Sequence, residues 1–472
     1  LDVSFSPDQQ AAIEYIKEWF DSVRGRVEFC GSDDQPDAEG ENADCPKGAH
    51  THGPGITAPI KSLGGYAGTG KTSIIKYLVK ALDAEVSYGT PTHKAARVLR
   101  GKLEYAQKKR VNTFYSLVYI PDPKFVCDHS GKKVKEITRE CTCGEAEDDC
   151  ACAKKFEPCG SCAECKVKQE LNFLKRQYMK GHTELLVVDE SSMLSEDQVE
   201  DIRQFGVPIL LVGDHGQLPP VKARMNPWIA KPDIVLTENH RQKNDTSGIV
   251  DIALWARDGN QLRKGVWGDG RAVVLGKDDD RMDLLMDAQR YLEKATLGVD
   301  LPAIICANNK TRAGINMRFH GEGPPRPGDR VVALRRCEVD VVEALDNGNK
   351  PILSGDGERR LVHNGHTGTI RAITGKTTRT VNMVVELDDT NGKMVWVTRA
   401  ETKQFGSPGV LGEHERGSNT RLWDYAYAMT CHKAQGSEWD DVIVLNEAWS
   451  DKARWLYTAV TRAKKKLVVV EF

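Results

Sequence analysis

The segment Gly65-Tyr66-Ala67-Gly68-Thr69-Gly70-Lys71-Thr72, followed by a helical pattern over Ser73 to Ala81, constrains this chain more than any other stretch. Its glycines let backbone amides close on a phosphate, and a helix N-terminus behind them favours the anion. Lys71 is spaced to reach the β- and γ-phosphates, and the Thr72 hydroxyl to ligate Mg²⁺. Such a loop requires a strand before it and a helix after it, which points to an α/β fold. By composition alone the string arises in about one chain in fifty of this length, so it needs corroboration.

Corroboration follows downstream. Leu185-Leu186-Val187-Val188 is an apolar run ending in Asp189-Glu190, where Asp189 is expected to hold the Mg²⁺ and Glu190 to orient and deprotonate a water. After a further run, Ile209 to Val212, Gln217 is placed to sense the γ-phosphate. Arg241 and Arg462 are candidates to neutralise charge in phosphoryl transfer. The catalytic set is thus Lys71, Asp189, Glu190, Gln217, Arg241 and Arg462.

Short apolar runs (Ala84 to Tyr88, Leu185 to Val188, Ile209 to Val212) alternate with helical patterns, the mark of a parallel sheet with crossover helices. A second set, Ala303 to Cys306, Val442 to Leu445 and Leu467 to Val470, predicts a second α/β domain. Between its strands, Arg330 to Leu334, Thr367 to Ile373, Asn382 to Leu387 and Lys393 to Val397 alternate between Gly and Asn turns, predicting a small inserted β-barrel. At the start, Ser6 and Pro7 open an amphipathic helix carrying Ala12, Ile13, Ile16 and Phe20. At 472 residues the chain holds several cores. No run is long and apolar enough for a bilayer, and the first residues lack a secretory layout, so a soluble, cytoplasmic protein with no membrane partner is expected. A formal charge of -2 excludes a globally basic coat, leaving grooves, amides and stacking for any nucleic-acid contact.

Cysteine usage is the other unusual feature. Cys127, Cys141, Cys143, Cys150, Cys152, Cys159, Cys162 and Cys165 crowd one segment, with His129 nearby. Their Cys-x-Cys and Cys-x-x-Cys spacings suit thiolates sharing a cation, and two tetrahedral Cys₄ Zn²⁺ sites are expected. One site with spare thiols, or an iron–sulfur cluster, are the alternatives. Cys30, Cys45, His50 and His52 lie in an acidic stretch, 24–57, and read either as another site or as a loop.

Taken in order, the motifs resemble superfamily 1 helicases of the RecD/Dda-like 5′→3′ branch. Phe5-Ser6-Pro7-Asp8-Gln9 resembles the adenine-reading Q motif, Thr90-Pro91-Thr92-His93-Lys94-Ala95-Ala96 the first strand-binding motif, and Val111-Asn112-Thr113-Phe114-Tyr115-Ser116 a diverged Thr-Ile-His-Ser element. Asp189-Glu190-Ser191-Ser192-Met193, then Gly213-Asp214-His215-Gly216-Gln217-Leu218-Pro219-Pro220-Val221 and Leu236-Thr237-Glu238-Asn239-His240-Arg241-Gln242 follow. Thr430-Cys431-His432-Lys433-Ala434-Gln435-Gly436-Ser437-Glu438 and Tyr457-Thr458-Ala459-Val460-Thr461-Arg462-Ala463 complete the set. Gln-Leu-Pro-Pro separates the chain from 3′→5′ relatives, and His-Lys-Ala-Gln-Gly from the RNA and DNA helicases that prefer a Phe-Gln-Gly form.

The resemblance implies two RecA-like parallel-sheet domains of the P-loop NTPase class, with a Cys-rich 1B pin insertion and an SH3-like β-barrel 2B insertion. The boundaries expected are 1–116 and 169–235 for domain 1A, 117–168 for 1B, 236–325 and 416–472 for 2A, and 326–415 for 2B. ATP is expected to be held by Gly65, Gly68, Thr69, Gly70, Lys71 and Thr72. By resemblance Gln9 reads adenine, Glu438 beside Gly436 holds the ribose, and His240 stands where an aromatic ring often stacks. Single-stranded DNA is expected to be gripped by Pro91, Thr92, His93, Thr113 and Ser116 on one side and Asn308, Asn364, Thr430, His432 and Lys433 on the other. The implied activity is ATP-dependent 5′→3′ unwinding of 5′-tailed duplexes by a monomer in a bacterial or phage-infected cytoplasm, alongside replication or repair proteins. An RNA or RNA–DNA remodeller, and an ATP-switched binding module, are the alternatives.

Overall fold

The computed structural model describes residues 5–24, 57–127, 133–134, 136–137, 155–156, 160, 167–176, 179, 182–238, 246–281, 283, 301–355, 357–388, 392–412 and 420–472. The helix Pro7–Val23 starts where Pro7 sets the first turn and Gln9 Oε1 accepts the Ser6 N–H at 3.2 Å. Its stripe of Ala12, Ile13, Ile16 and Phe20 is buried with Ile74, Ile75 and Leu78 of the helix Lys71–Leu82.

The first sheet is fully parallel. Its strands are β1 (Ile60–Gly65), β2 (Val86–Thr90) and β3 (Val111–Thr113), followed by an excursion. In that excursion β4 (Tyr119–Cys127) pairs with β7 (Val167–Lys175) as an antiparallel hairpin, with β5 (Glu136–Ile137) and β6 (Lys155–Phe156) between them in sequence. The sheet then resumes with β8 (Leu185–Val188), β9 (Ile209–Gly213) and β10 (Ile234–Leu236), giving the order β10-β1-β9-β8-β2-β3. Because β1, β9 and β8 are neighbours, the phosphate loop, Asp214 to Gln217 and Asp189-Glu190 all leave the same edge.

A second sheet holds β11 (Gly265–Trp267), β12 (Ala272–Gly276) and β13 (Ala303–Cys306) before another insertion. The insertion comprises β14 (Arg330–Ala333), β15 (Cys337–Leu345), β16 (Pro351–Leu353), β17 (Arg359–Val362), β18 (Thr367–Lys376), β19 (Thr380–Leu387), β20 (Met394–Glu401) and β21 (Trp423–Tyr425). The second sheet closes with β22 (Ala428–Thr430), β23 (Trp439–Asn446) and β24 (Ala463–Glu471), in the order β11-β12-β24-β23-β13-β22, with only β11 antiparallel.

The inserted strands form one eight-stranded antiparallel sheet. Arg421 bridges back to Ala400 of β20, curling the sheet around Val331, Ile370, Val385, Val395 and Trp423. This sheet includes Trp423–Tyr425, beyond the boundary expected at 415, because that segment hydrogen-bonds to β14. The hairpin likewise runs to Lys175 rather than stopping at 168, since every residue from Tyr119 to Cys127 finds a partner. Strand β2 sits two residues later than its apolar pattern predicts, because Gly89 and Thr90 pair with Val188 and Thr113 although neither carries a large apolar side chain. No helix among the described residues is long and apolar enough to cross a membrane. Cys30, Cys45, His50, His52, His129, Cys141, Cys143, Cys150, Cys152, Cys159, Cys162, Cys165, His240 and Arg241 lie outside the described residues.

Candidate nucleotide cleft and strand channel

The phosphate loop joins β1 to the helix Lys71–Leu82. Gly70 adopts φ 81°, a left-handed turn that glycine makes without strain, and a Cβ at Gly65 would fall 2.6 Å from Thr69 Oγ1. Lys71 Nζ donates to Gly65 O at 2.6 Å and Tyr66 O at 2.9 Å, which holds the ammonium over the loop. Thr72 follows it, half-buried at the start of the helix. Gln9, buried beside the loop, donates through Nε2 to Thr69 O at 3.0 Å, so its amide braces the loop while its Oε1 serves Ser6.

Asp189 and Glu190 stand at the end of β8, and Glu190 takes a left-handed φ of 55° that turns the chain sharply into the 3₁₀ turn Ser191–Met193. Burial raises the pKa of both carboxyls. The Glu190 N–H and the charge of Lys71 partly offset this at Asp189, whereas Asp189 adds to it at Glu190 and Arg462 and Lys71 counter it. A raised pKa suits Glu190 to accept a proton. The hard oxygen donors Thr72 and Asp189, set among crowded carboxyls short of hydration, fit a magnesium ion.

The second domain supplies the opposite wall. Arg462 is buried, donating from Nε to Thr458 O at 3.0 Å, from one Nη to Ser437 O at 3.2 Å and from the other to Thr461 Oγ1 at 3.1 Å. Facing it from the first domain, Gln217 is buried, its Nε2 donating to Asp214 at 3.2 Å, while its Oε1 finds no partner among the described residues. Gly436 adopts φ 71° and lies so near the first domain that a Cβ there would meet Ala95 Cβ at 3.2 Å. Glu438 is exposed two residues further on.

An aromatic contact across the cleft escaped the sequence reading. The Tyr457 hydroxyl accepts the Ala67 N–H at 2.8 Å and donates to Asp214 Oδ2 at 2.9 Å. The Tyr66 ring lies 4.5 Å from the His215 ring and takes the Arg257 guanidinium at 4.5 Å on its face. Tyr457 is visible in the last motif and Tyr66 in the phosphate loop, but nothing in either pattern announces that they meet.

A second cavity, of about 340 Å³, opens where the two α/β domains and the inserted sheet converge. Pro91, Thr92, His93 and Thr113 line it from the first domain, Asn364 from the insertion, and His432 and Lys433 from the second domain. Tyr115, Arg312 and Gln435 also line it and were not singled out from the sequence. Burial lowers the pKa of His93 and His432, which favours neutral rings on the cavity wall. Lys433 opens onto the channel, although desolvation by surrounding protein lowers its pKa as well.

Three expected contacts do not line this cavity. Ser116 Oγ is paired with Thr113 through its O at 2.8 Å and its Oγ1 at 3.0 Å. Asn308 caps the helix Asn309–His320 by accepting the Thr311 N–H at 2.8 Å, and its Nδ2 donates to Glu447 at 3.1 Å. Thr430 is buried at the start of the turn Cys431–Ala434. Cys127, buried at the far end of β4, is the only member of the cysteine cluster among the described residues, and no metal-holding group of His, Cys, Asp or Glu occurs among those residues.

Two family profiles match the chain: one described as an AAA domain over residues 56–273, and one described as UvrD-like helicase C-terminal domain over residues 425–470. The chain is 29% identical over 312 residues to the ATP-dependent RecD2 DNA helicase of Deinococcus radiodurans, matching 60% of this chain and 36% of that protein. It is 26% identical over 315 residues to the RecBCD enzyme subunit RecD of Mycobacterium tuberculosis, matching 61% of this chain and 49% of that protein. The chain therefore spans less than half the length of these relatives. A crystal structure of Bacteroides Pif1 bound to single-stranded DNA overlays with a TM-score of 0.45 at 16% identity, covering 99% of this chain and 92% of that one. With its nucleotide motifs in order along two parallel sheets, the chain is similar to RecD-like helicases over about 60% of its length.

Proposed function

We propose that this protein uses ATP to translocate 5′→3′ along single-stranded DNA and to unwind duplex ahead of it. The observation that carries this reading is the convergence of Pro91, Thr92, His93, Thr113, Asn364, His432 and Lys433 on one cavity walled by both α/β domains. The nucleotide residues occupy the same inter-domain seam, so closing the seam on ATP moves one set of strand contacts relative to the other.

Lys71 and the loop amides hold the phosphates, and Gln9 keeps the loop in shape through Thr69. Glu190 takes the proton of the attacking water, while Arg462, with Arg241, draws off the charge that grows on the phosphoryl oxygens. A magnesium ion held by Thr72 and Asp189 would neutralise phosphate charge there. Loss of the γ-phosphate removes what the second domain's arginine gripped, and the cleft relaxes. Hydroxyl, amide and π contacts make the grip indifferent to base sequence.

The inserted sheet is assigned as an SH3-like 2B domain and the β4–β7 hairpin as a 1B pin, on the strength of their places in the chain. The cysteines between β4 and β7 are assigned to Zn²⁺, two Cys₄ sites in the simplest division, supported by the paired spacings of Cys141 with Cys143, Cys150 with Cys152, and Cys159, Cys162 and Cys165. Metal analysis with an absorption spectrum distinguishes colourless zinc from a brown iron–sulfur protein. The setting proposed is DNA replication or repair in a bacterial or phage-infected cytoplasm.

Unwinding assays with 5′-tailed, 3′-tailed and RNA-tailed duplexes test the main reading. Strand separation on the 5′ DNA tail is expected, and exclusive use of 3′ tails refutes the polarity. ATP binding without nucleic-acid-stimulated turnover refutes the motor.

A further inference from the structure

Asp8 makes contacts that a helix-start carboxylate does not ordinarily make. In the first turn of Pro7–Val23 an acid is expected for the helix dipole alone. Here Oδ2 instead accepts the backbone N–H of Thr237 at 3.0 Å and of Glu238 at 3.0 Å, and Oδ1 accepts the Ser6 hydroxyl. Burial works against the carboxylate, yet the Ser6 hydroxyl and the N–H groups of Glu238, Thr237 and Gln9 outweigh it and hold its pKa low.

The two ends of this contact are not equivalent. Thr237 and Glu238 directly follow β10, the edge strand of the first sheet, and the chain passes from there to the second domain. Asp8 is followed by Gln9, whose amide is bonded to Thr69 at the tip of the phosphate loop. Strand β10 runs parallel to β1, with Gly65 opposite Leu236, so the start of the phosphate loop and the exit of β10 are also neighbours within the sheet. Ser6, Asp8 and Gln9 thus brace two places at once: the phosphate loop, and the point where the chain leaves the first domain.

We propose that Asp8 is a positioning residue that transmits the state of the phosphate loop to the inter-domain connection, so that DNA on the far side of the seam can stimulate turnover. This rests on the ATP-driven reading above and adds to it a named route between the two sites. The carboxylate suits the task because one oxygen receives two converging N–H groups, as an anion does at a nest of amides. An amide in its place would turn either a weaker acceptor or a competing donor toward them.

The test is steady-state ATP turnover of the full chain with and without a single-stranded DNA oligomer, for the wild type, Asp8→Asn and Asp8→Glu, with fluorescent ATP-analogue binding and thermal melting in parallel. The expected result for Asp8→Asn is roughly a tenfold fall in the ratio of DNA-stimulated to basal kcat, whatever the change in basal turnover itself. Asp8→Glu should recover part of the stimulation. An equal fall in basal and stimulated turnover, with a lowered melting temperature, would indicate a merely structural helix-start residue and overturn the proposal. Unchanged stimulation in Asp8→Asn overturns it too. If the wild type itself shows no stimulation by DNA, the motor reading fails first, which separates the two failures.

Discussion

The His93 ring of the first domain stacks on the His363 ring of the inserted sheet, with centroids 3.8 Å apart and planes 19° from parallel. His366 meets His363 edge-on at 5.5 Å. Since His93 and the neighbouring Asn364 both line the strand cavity, this stack joins two of its three walls.

The contact should be sensitive to acid. Burial lowers the pKa of His93, aided by Arg100 and Arg336, and burial with His93, His366, Arg336 and Arg100 pushes His363 down to about 3. Every named neighbour is a base, so the stack favours neutral rings. Its stability is complete above the free histidine value of about 6.5 and is lost as pH falls from there toward the lowered values. Release of single-stranded DNA should quicken by up to about tenfold per pH unit below that point. His363→Phe keeps a stacking ring without a titrating group and should flatten the profile; a profile equally steep in this variant contradicts the assignment.

Lys71→Ala should reduce ATP turnover by at least about a hundredfold, because the ammonium over the phosphate loop has no replacement among the groups bonded there. Strand affinity measured by fluorescence anisotropy should change little, since Lys71 does not line the strand cavity.

Tyr457→Phe removes the hydroxyl that bonds Ala67 and Asp214 across the cleft. The loss should weaken cleft closure by about 1–2 kcal/mol, read as roughly a five- to thirtyfold rise in KM for ATP. Melting temperature should shift by only a few degrees.

Asp424→Ala should be among the most destabilising single changes. Arg312 Nη1 lies 2.6 Å from Asp424 with both side chains buried, and Asp424 also accepts the N–H groups of Gly406 and Tyr425. Leaving the guanidinium buried without its counter-charge costs about 3–5 kcal/mol. The double variant Arg312→Met with Asp424→Leu should melt above Asp424→Ala, which differential scanning calorimetry would register.

The parts of this architecture that could be read from sequence are those written in local pattern. Strands β8 and β13 fall on the residues their apolar runs predict, because a buried parallel strand needs large side chains on both faces. The phosphate loop and Asp189-Glu190 were legible because chemistry needs those types in fixed spacing. The brace from Asp8 to Thr237 and the pairing of Arg312 with Asp424 were not, since each joins residues more than a hundred positions apart through side-chain contacts that leave no local pattern. Ser116 and Asn308 look like phosphate ligands in sequence, but a hydroxyl or amide near a helix start is equally suited to bonding its own backbone, and that is where theirs are engaged.

The β4–β7 hairpin carries a consequence for how a fold of this kind diversifies. Cys127 and Val167 are directly paired, so everything between them leaves and re-enters the body at points only about 5 Å apart. An excursion with touching ends behaves as a cassette: its length and content can change through descent without altering the register of any strand in the sheet that carries the nucleotide residues. The same closure makes replacement of residues 128–166 by a short turn a practical way to ask what the cysteines add to an otherwise intact fold.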